Sequence, residues 1–199
     1  MGDPKKQRKK YSSPRHPWQK DRIENELNIL GKYGLRNKRE IWKFRTKAEH
    51  YRGTAKGLLA LTPEDAKKMQ DELMHKLNRL GILPLTATLD DVLSLTIDDL
   101  LERRLQTIVV HKGLASTMHQ ARQMITHGHI AIAGARITSP SHIVLRAEET
   151  EIVFSPGSPF SKTDHPIHAR TTSTNPASSK ANNPPSSKAN NPPRSKANN

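Results

Sequence analysis

The sequence contains no cysteine and little apolar material, and these shortages exclude several classes of protein. The absence of cysteine from all 199 residues excludes disulfide bonds, thiolate nucleophiles and cysteine-ligated zinc sites. Only 33% of the residues are hydrophobic, whereas about 45–50% is typical of a soluble domain. One conventional core therefore cannot extend over the whole length. We expect part of the chain to be exposed, disordered or held by a partner.

Long apolar runs are missing as well. No stretch of about eighteen consecutive apolar residues exists to span a bilayer. Residues 1–10 carry the positive charge of a signal peptide, but no apolar segment follows them. We therefore predict a cytoplasmic protein with no membrane partner.

Positive charge, by contrast, is abundant and unevenly distributed. The chain has 33 lysines and arginines against 19 acidic residues, which gives a net charge of +14. Residues 1–60 carry +11, residues 61–100 carry −4, residues 101–155 carry +2 and residues 156–199 carry +5. A compact body with such an excess repels itself unless a polyanion neutralises it. Nucleic acid is the leading candidate for that polyanion.

We divide the chain into a basic arm (1–19), a helical region (20–95), a small module (96–160) and a low-complexity tail (161–199); the resemblance given below implies RNA binding for the second and third segments. The tail repeats Ser-Ser-Lys-Ala-Asn-Asn-Pro-Pro from Ser178. Such a unit has no apolar face to bury, so we predict a disordered tail. Weak affinity for polyanions and an inert extension are equally open roles for it. We expect the arm to be unstructured when it is free.

Helix signals are clear in the region after the arm. Apolar residues at helical spacing follow Asp21, and either Gly31 or Gly34 can end this helix. Asn37 and Glu40 resemble a capping box that opens a second helix, through about residue 52. The second helix carries six cations that we assign to RNA binding: Lys38, Arg39, Lys43, Arg45, Lys47 and Arg52.

Three later segments begin with threonine followed three residues on by aspartate, at Thr62, Thr88 and Thr96. A threonine hydroxyl can cap a helix N-terminus, and carboxylates suit the positive end of its dipole. This structural role accounts for the acidic residues, so we expect no catalytic carboxylate here. The helix that begins at Thr62 should stop at Gly81. The helix that begins at Thr96 should run unbroken to about Gly113, with its leucines inward.

The last predicted helix starts at Thr117 and ends at Gly128, and it has two distinct faces. Its apolar residues lie on one side, and the polar face comprises His119, Arg122, Gln123 and Thr126. Arg103, Arg104 and Lys112 are expected to join this polar face in one surface. Three short strands then follow, at 130–132, 143–145 and 152–154. The predicted class is α+β, with a three- to four-stranded sheet.

The order of these residues resembles the small RNA-binding module named after ribosomal protein S-four. The similar stretches are Leu101-Glu-Arg-Arg-Leu105, Lys112-Gly-Leu-Ala115, Ala121-Arg-Gln123, His127-Gly-His-Ile130 and Ile137-Thr-Ser-Pro140. Upstream, Asp21-Arg-Ile-Glu-Asn-Glu-Leu27 and Tyr33-Gly-Leu-Arg-Asn-Lys-Arg-Glu-Ile-Trp42 look like the archaeal and eukaryotic branch of the S-four ribosomal protein family. The likeness covers roughly residues 15–160.

The resemblance implies a structural protein of the small ribosomal subunit that binds small-subunit rRNA near a helical junction. It further implies neighbouring small-subunit proteins as partners, and effects on subunit assembly and translational accuracy. The contact positions of the module would fall on Arg103, Arg104, Thr117, Arg122, Gln123 and His127. Replacing Arg104 and Arg122 by alanine is expected to weaken RNA binding without unfolding the module.

Other functions are weaker interpretations of the same residues. An RNA-modifying enzyme with this module needs a separate catalytic domain, and too few residues remain for one. An RNA chaperone is a further alternative. His127 and His129 lack a third ligand nearby, so we predict no metal and no cofactor. No phosphate-cradling glycine motif is present, and we expect no small-molecule substrate. For Trp18, Tyr33 and Trp42, core packing is the favoured role, with base stacking as the alternative.

Overall fold

The computed structural model describes residues 9–61 and 63–162, which form seven α-helices and one small sheet. The helices are α1 (Lys20–Lys32), α2 (Lys38–Leu59), α3 (Pro63–Arg79), α4 (Leu89–Leu93), α5 (Ile97–Glu102), α6 (Leu105–His111) and α7 (Met118–Thr126). The strands are β1 (Ile130–Ile132), β2 (Ala135–Arg136) and β3 (Ile152–Phe154). The sheet is antiparallel, in the order β2-β1-β3. The predicted α+β class is confirmed.

The helical region packs in two apolar clusters that share α2. The first cluster joins α1, α2 and α5 around Tyr33, Phe44 and Leu101. The second joins the end of α2 to α3 and α4, through Leu58 and Leu77 among others. Burial in this second cluster explains why α2 continues to Leu59, seven residues beyond its predicted end. The apolar contacts outweigh the weak helix propensity of the glycines within it.

The predicted helix starts at Asn37, Thr88 and Thr96 are confirmed, but the capping box predicted at Asn37 is only half formed, because the Glu40 carboxylate bonds to Arg104 and Arg122 instead. The Asn37 side chain accepts a hydrogen bond from the backbone N–H of Glu40 at 3.2 Å. The backbone N–H groups of Thr88 and Thr96 donate to aspartate carboxylates at 2.7 and 2.8 Å. Gly81 follows α3 with a φ of +68°, as expected of a glycine that ends a helix. Thr62 lies outside the described residues.

The helix predicted from Thr96 is wrong in one respect, because the chain leaves helical geometry between α5 and α6. Arg104 is extended, with φ −70° and ψ 141°, and its backbone bridges to Ile143. The N–H of Val144 donates to the carbonyl of Arg103 at 3.0 Å. The strand predicted around Ile143 is therefore reduced to this one bridge. The pairing of Arg104 with Ile143 therefore accounts for both the break in the predicted helix and the reduction of the predicted strand.

The module has its own apolar core, formed between α6, α7 and the sheet. Its buried members include Leu105, Ile108, Ile125, Ile130 and Ile152. The turn after α7 requires a left-handed residue, and Gly128 supplies it with a φ of +75°. The predicted strands 130–132 and 152–154 are confirmed.

The described part of the arm lies on the helices, contrary to expectation. The N–H of Ser12 donates to Thr46 Oγ1 at 3.0 Å, and the Tyr11 ring lies 5.9 Å from that of Trp42. Arg22 Nη2 donates to the carbonyl of Pro17 at 2.8 Å. These contacts tie the arm to α1 and α2. Residues 1–8, and the predicted tail beyond Lys162, lie outside the described residues.

Residues 9–61 and 63–162 hold neither a membrane span nor a metal cluster. No helix in them has the length and apolar character to cross a membrane. No group of three metal-ligating side chains occurs in them either.

Candidate nucleic-acid interface

One carboxylate, that of Glu40, joins the helical region to the module. Glu40 lies in the first turn of α2, and its Oε2 accepts a hydrogen bond from Arg104 Nη2 at 2.9 Å. Its Oε1 accepts one from Arg122 Nη2, on α7, also at 2.9 Å. Arg122 Nη1 donates in addition to the carbonyl of Gly34 at 3.3 Å. A single anion therefore pairs with two cations from different elements of the module.

Burial and the two arginines act on the pKa of Glu40 in opposite directions. Burial raises the pKa of the carboxyl, but the hydrogen bond from Arg122 and the charges of Arg104 and Arg122 outweigh it, so the pKa lies below its ordinary value. Burial also lowers the pKa of Arg104, against the opposing effect of Glu40. Arg104 remains charged, because arginine titrates far above neutral pH.

A buried amide makes a second connection between the helical region and the module. Gln106 is fully buried on α6, and its Nε2 lies 3.3, 3.1 and 2.9 Å from the carbonyl oxygens of Tyr33, Gly34 and Met118. Gly34 has a φ of +56°, and a Cβ there would lie 2.7 Å from the Cβ of Met118. Only glycine fits this close approach of α1's end to α7.

A cleft of about 410 Å³ opens where these elements meet. Its lining residues are Asn37, Arg39, Glu40, Lys43, Phe44, Arg104, Arg122, Pro140 and Ser141. Arg39 and Lys43 are exposed at its edge, one turn apart on α2. Its four cations outnumber its one carboxylate. The cleft therefore presents positive charge from both parts of the chain.

Arg104 does not lie on the surface, which corrects the sequence-based expectation. Its side chain is 1% exposed, and its Nε and Nη1 have no hydrogen-bond partner among the described residues. The extended backbone at the α5–α6 junction turns this side chain inward against Glu40 and over the ring of Phe44. Local sequence patterns carry no signal of this, because the partner Glu40 lies 64 residues before Arg104.

Arg103 and Lys112 also depart from the expected common surface. They line a different cleft, of about 360 Å³, together with Asp99, Glu102 and Glu149. Arg103 Nη1 donates to Glu149 Oε2 at 2.8 Å, and its other nitrogens reach backbone carbonyls. Arg103 is therefore occupied in holding the module against the end of α3. Lys112 is exposed beside it.

The polar face predicted on α7 is present. His119, Gln123 and Thr126 are exposed, as is His127 just beyond the helix. Thr117 caps the helix, since its side chain accepts a hydrogen bond from the N–H of Gln120 at 3.2 Å. These polar groups can form hydrogen bonds to phosphate and ribose oxygens.

The remaining cations of α2 differ in how free they are. Lys38 Nζ lies 3.4 Å from Glu26, and Arg45 Nε lies 3.2 Å from Glu49. Burial, together with the charges of Lys10 and Lys43, lowers the pKa of Lys47. Arg52 is half-buried. Arg39 and Lys43 are thus the most available cations of the set.

The three aromatic residues predicted to pack in the core differ in how deeply they are buried. Tyr33 is buried, at 2% exposure, as expected. Trp42 is half-buried, and its Nε1 donates to Glu26 Oε1 at 3.0 Å. Trp18 is 88% exposed, so the prediction of core packing is wrong for this residue.

Comparison with known proteins finds two family matches that together span most of the chain. Residues 5–102 match the family described as "Ribosomal protein S4/S9 N-terminal domain", and residues 103–150 match the "S4 domain". The chain is 56% identical over 162 residues to small ribosomal subunit protein uS4 of Hyperthermus butylicus, covering 81% of this chain and 92% of the relative. The same-named protein of Ignicoccus hospitalis is 55% identical, with 81% and 98% covered. That of Sulfolobus acidocaldarius is 54% identical, with 80% and 92% covered.

Proposed function

Because the chain belongs to the uS4 family of ribosomal proteins, we propose that it is a structural protein of the small ribosomal subunit that binds small-subunit rRNA at a helical junction. Through this binding it supports subunit assembly and translational accuracy. It is not an enzyme, and nothing favours the RNA-modifying alternative.

One observation carries the assignment of the RNA-binding surface. The cleft between α2 and the module is edged by Arg39 and Lys43, which have no ion-pair partner among the described residues. The exposed polar face of α7 includes His119 and Gln123. Cations neutralise backbone phosphates, and polar side chains form hydrogen bonds with ribose hydroxyls. We infer that RNA contacts both surfaces together, across the contact that Glu40 makes between α2 and the module.

The roles of the predicted site residues divide accordingly. Direct contact with RNA is proposed for the exposed members: Arg39, Lys43, Arg45, Lys47, Lys112, Thr117, His119, Gln123 and His127. The half-buried Lys38, Arg52 and Arg122 contribute charge at the edge of the surface. Arg103, which is paired with Glu149, and Lys112 belong to the separate cleft beside the end of α3, so a contact of Lys112 with RNA would be made there. Arg104 positions Arg122 through the carboxylate that they share.

The protein partners, the location in the cell and the domain boundaries are also proposed. The protein partners are neighbouring small-subunit proteins, and the location is the cytoplasmic ribosome. The division into an arm, a helical region (20–95), a module (96–160) and a tail is likewise proposed.

The salt dependence of RNA binding tests this surface. Affinity falls with salt, and we expect the magnitude of this log–log slope to decrease by roughly 0.7–0.9 for each phosphate that the protein no longer neutralises. The double variant Arg39→Ala/Lys43→Ala is therefore expected to reduce the slope by about 1.4–1.8. Lys67→Ala/Lys68→Ala is the matched control, because both lysines are exposed on α3, away from the proposed surface. Equal slopes for both double variants would reject the proposed surface.

A further inference from the structure

Trp18 is the most exposed of the large hydrophobic side chains in the described part of the chain, at 88%. The other tryptophan is engaged: the ring of Trp42 lies 5.9 Å from that of Tyr11, and its Nε1 donates to Glu26. Leaving an indole in water forgoes the stabilisation that its burial would give. A partner that covers the ring would recover this stabilisation.

The backbone on each side of Trp18 is held in place. The carbonyl of Pro17 accepts a hydrogen bond from Arg22 Nη2 at 2.8 Å. The carbonyl of Gln19 accepts one from the N–H of Ile23 at 3.1 Å, as the first hydrogen bond of α1. The exposed ring is therefore carried by a segment fixed on both sides, and less freedom remains to be lost on binding.

Polar and cationic groups surround this segment. A cleft of about 350 Å³ adjoins it, and its lining includes Arg15, His16, Gln19, Arg22 and Arg45. Arg22 and Arg45 pair with glutamates on their own helices. Arg15 and His16 are exposed, without an ion-pair partner among the described residues. Residues 9–22 hold five lysines and arginines against one aspartate.

We propose that Trp18 stacks on an unpaired base of the bound RNA, with Arg15 and His16 contacting the adjoining phosphates. Base and phosphate together match a surface on which an aromatic face lies beside unpaired cations. An apolar pocket of a protein partner would match the ring but leave the cations unneutralised. The proposal rests on the proposed rRNA binding and adds one unpaired nucleotide to it.

Affinity for transcribed small-subunit rRNA is the first test, with the full-length chain as the binder. Trp18→Ala is expected to weaken binding roughly 5- to 150-fold, which corresponds to about 1–3 kcal/mol per stacked base. Trp18→Phe should restore most of this loss, because phenylalanine keeps a stacking face. The matched control is Leu85→Ala, an apolar residue 71% exposed outside the arm, and it should bind as the unaltered chain does.

The salt slope separates stacking from charge. Trp18→Ala should leave the log–log slope unchanged, whereas Arg15→Ala should reduce it by roughly 0.7–0.9. If the unaltered chain binds this RNA and Trp18→Ala binds equally well, the stacking proposal is wrong and the proposed function stands. If the unaltered chain does not bind, the proposed function itself fails.

Fluorescence gives an independent readout. In a Trp42→Phe chain, Trp18 is the only tryptophan. Bound RNA should quench its emission and shield it from iodide. A Trp18 that stays fully accessible to iodide in the RNA complex would overturn the proposal and favour a protein neighbour instead. The affinity measurements do not need the Trp42→Phe change, so they decide the matter if that chain fails to fold.

Discussion

Glu40 Oε2 accepts a hydrogen bond from Arg104 Nη2 at 2.9 Å, across the boundary between two separately matched parts of the chain. Arg104 is almost fully buried, and Glu40 is 17% exposed. Because Glu40 also holds Arg122, this carboxylate links α2 to α7 as well, beside the hydrogen bonds of Gln106. The proposed RNA surface crosses the same boundary, so its geometry depends on this pairing.

Removing the shared carboxylate should destabilise the whole fold. Glu40→Ala leaves Arg104 buried without a counter-charge, and breaking such a pair from one side costs about 3–5 kcal/mol. Urea unfolding followed by circular dichroism measures this loss. Glu49→Ala removes the exposed partner of Arg45 and should change stability by less than about 1 kcal/mol. Equal effects of the two changes would contradict the account.

Arg104 and Arg122 should respond differently to replacement by alanine. Arg104→Ala is expected to lower the free energy of unfolding by about 3–5 kcal/mol, because it creates a cavity and removes one of the two cations that pair with Glu40. Arg122 is 22% exposed, and Glu40 would keep Arg104, so Arg122→Ala should cost less. Thermal unfolding of both variants measures the difference. The order would be reversed if Arg104 served RNA contact alone.

Acid should weaken the pairing of Glu40 with Arg104 and Arg122. Its pKa is lowered in the folded state, so its stabilising contribution is fully present above the unfolded pKa of about 4.3. The contribution is lost as the pH falls through the lower folded pKa. The stability difference between the unaltered chain and Glu40→Gln should therefore shrink below about pH 4.3. Denaturation series at several pH values test this, and a difference that grows on acidification would contradict it.

Gly34→Ala should destabilise the contact between α1 and α7. Its φ of +56° and the 2.7 Å approach to Met118 both oppose a Cβ. A strained backbone of this kind costs about 1–3 kcal/mol before any clash is added. Gly31→Ala is the control, because a Cβ there meets nothing within 4 Å and the residue lies inside α1. That change should be neutral or stabilising by up to about 1 kcal/mol.

Local signals in the sequence predicted much of the fold. The caps at Asn37 and Thr96 and the two faces of α7 depend on residues within one or two helical turns of each other. Spacing along the chain is enough to find such features. The resemblance to the S-four family supplied the identity that the comparisons then confirmed.

The errors share one physical origin, which is contact between residues far apart in sequence. The break between α5 and α6 depends on pairing with Ile143, some forty residues on. The burial of Arg104 depends on Glu40, 64 residues earlier. Trp18 had the hydrophobic character of a core residue, but no element of the described ranges covers its ring. Helical periodicity carries no information about such partners.

Crosslinking of the protein to RNA in living cells, followed by sequencing of the bound RNA, tests the central claim most directly. We predict one dominant site in small-subunit rRNA, at a helical junction, with the Arg39→Ala/Lys43→Ala chain recovering less of it at equal protein abundance. Reads scattered over transfer and messenger RNA, without a dominant small-subunit rRNA site, would contradict the account and favour an RNA chaperone.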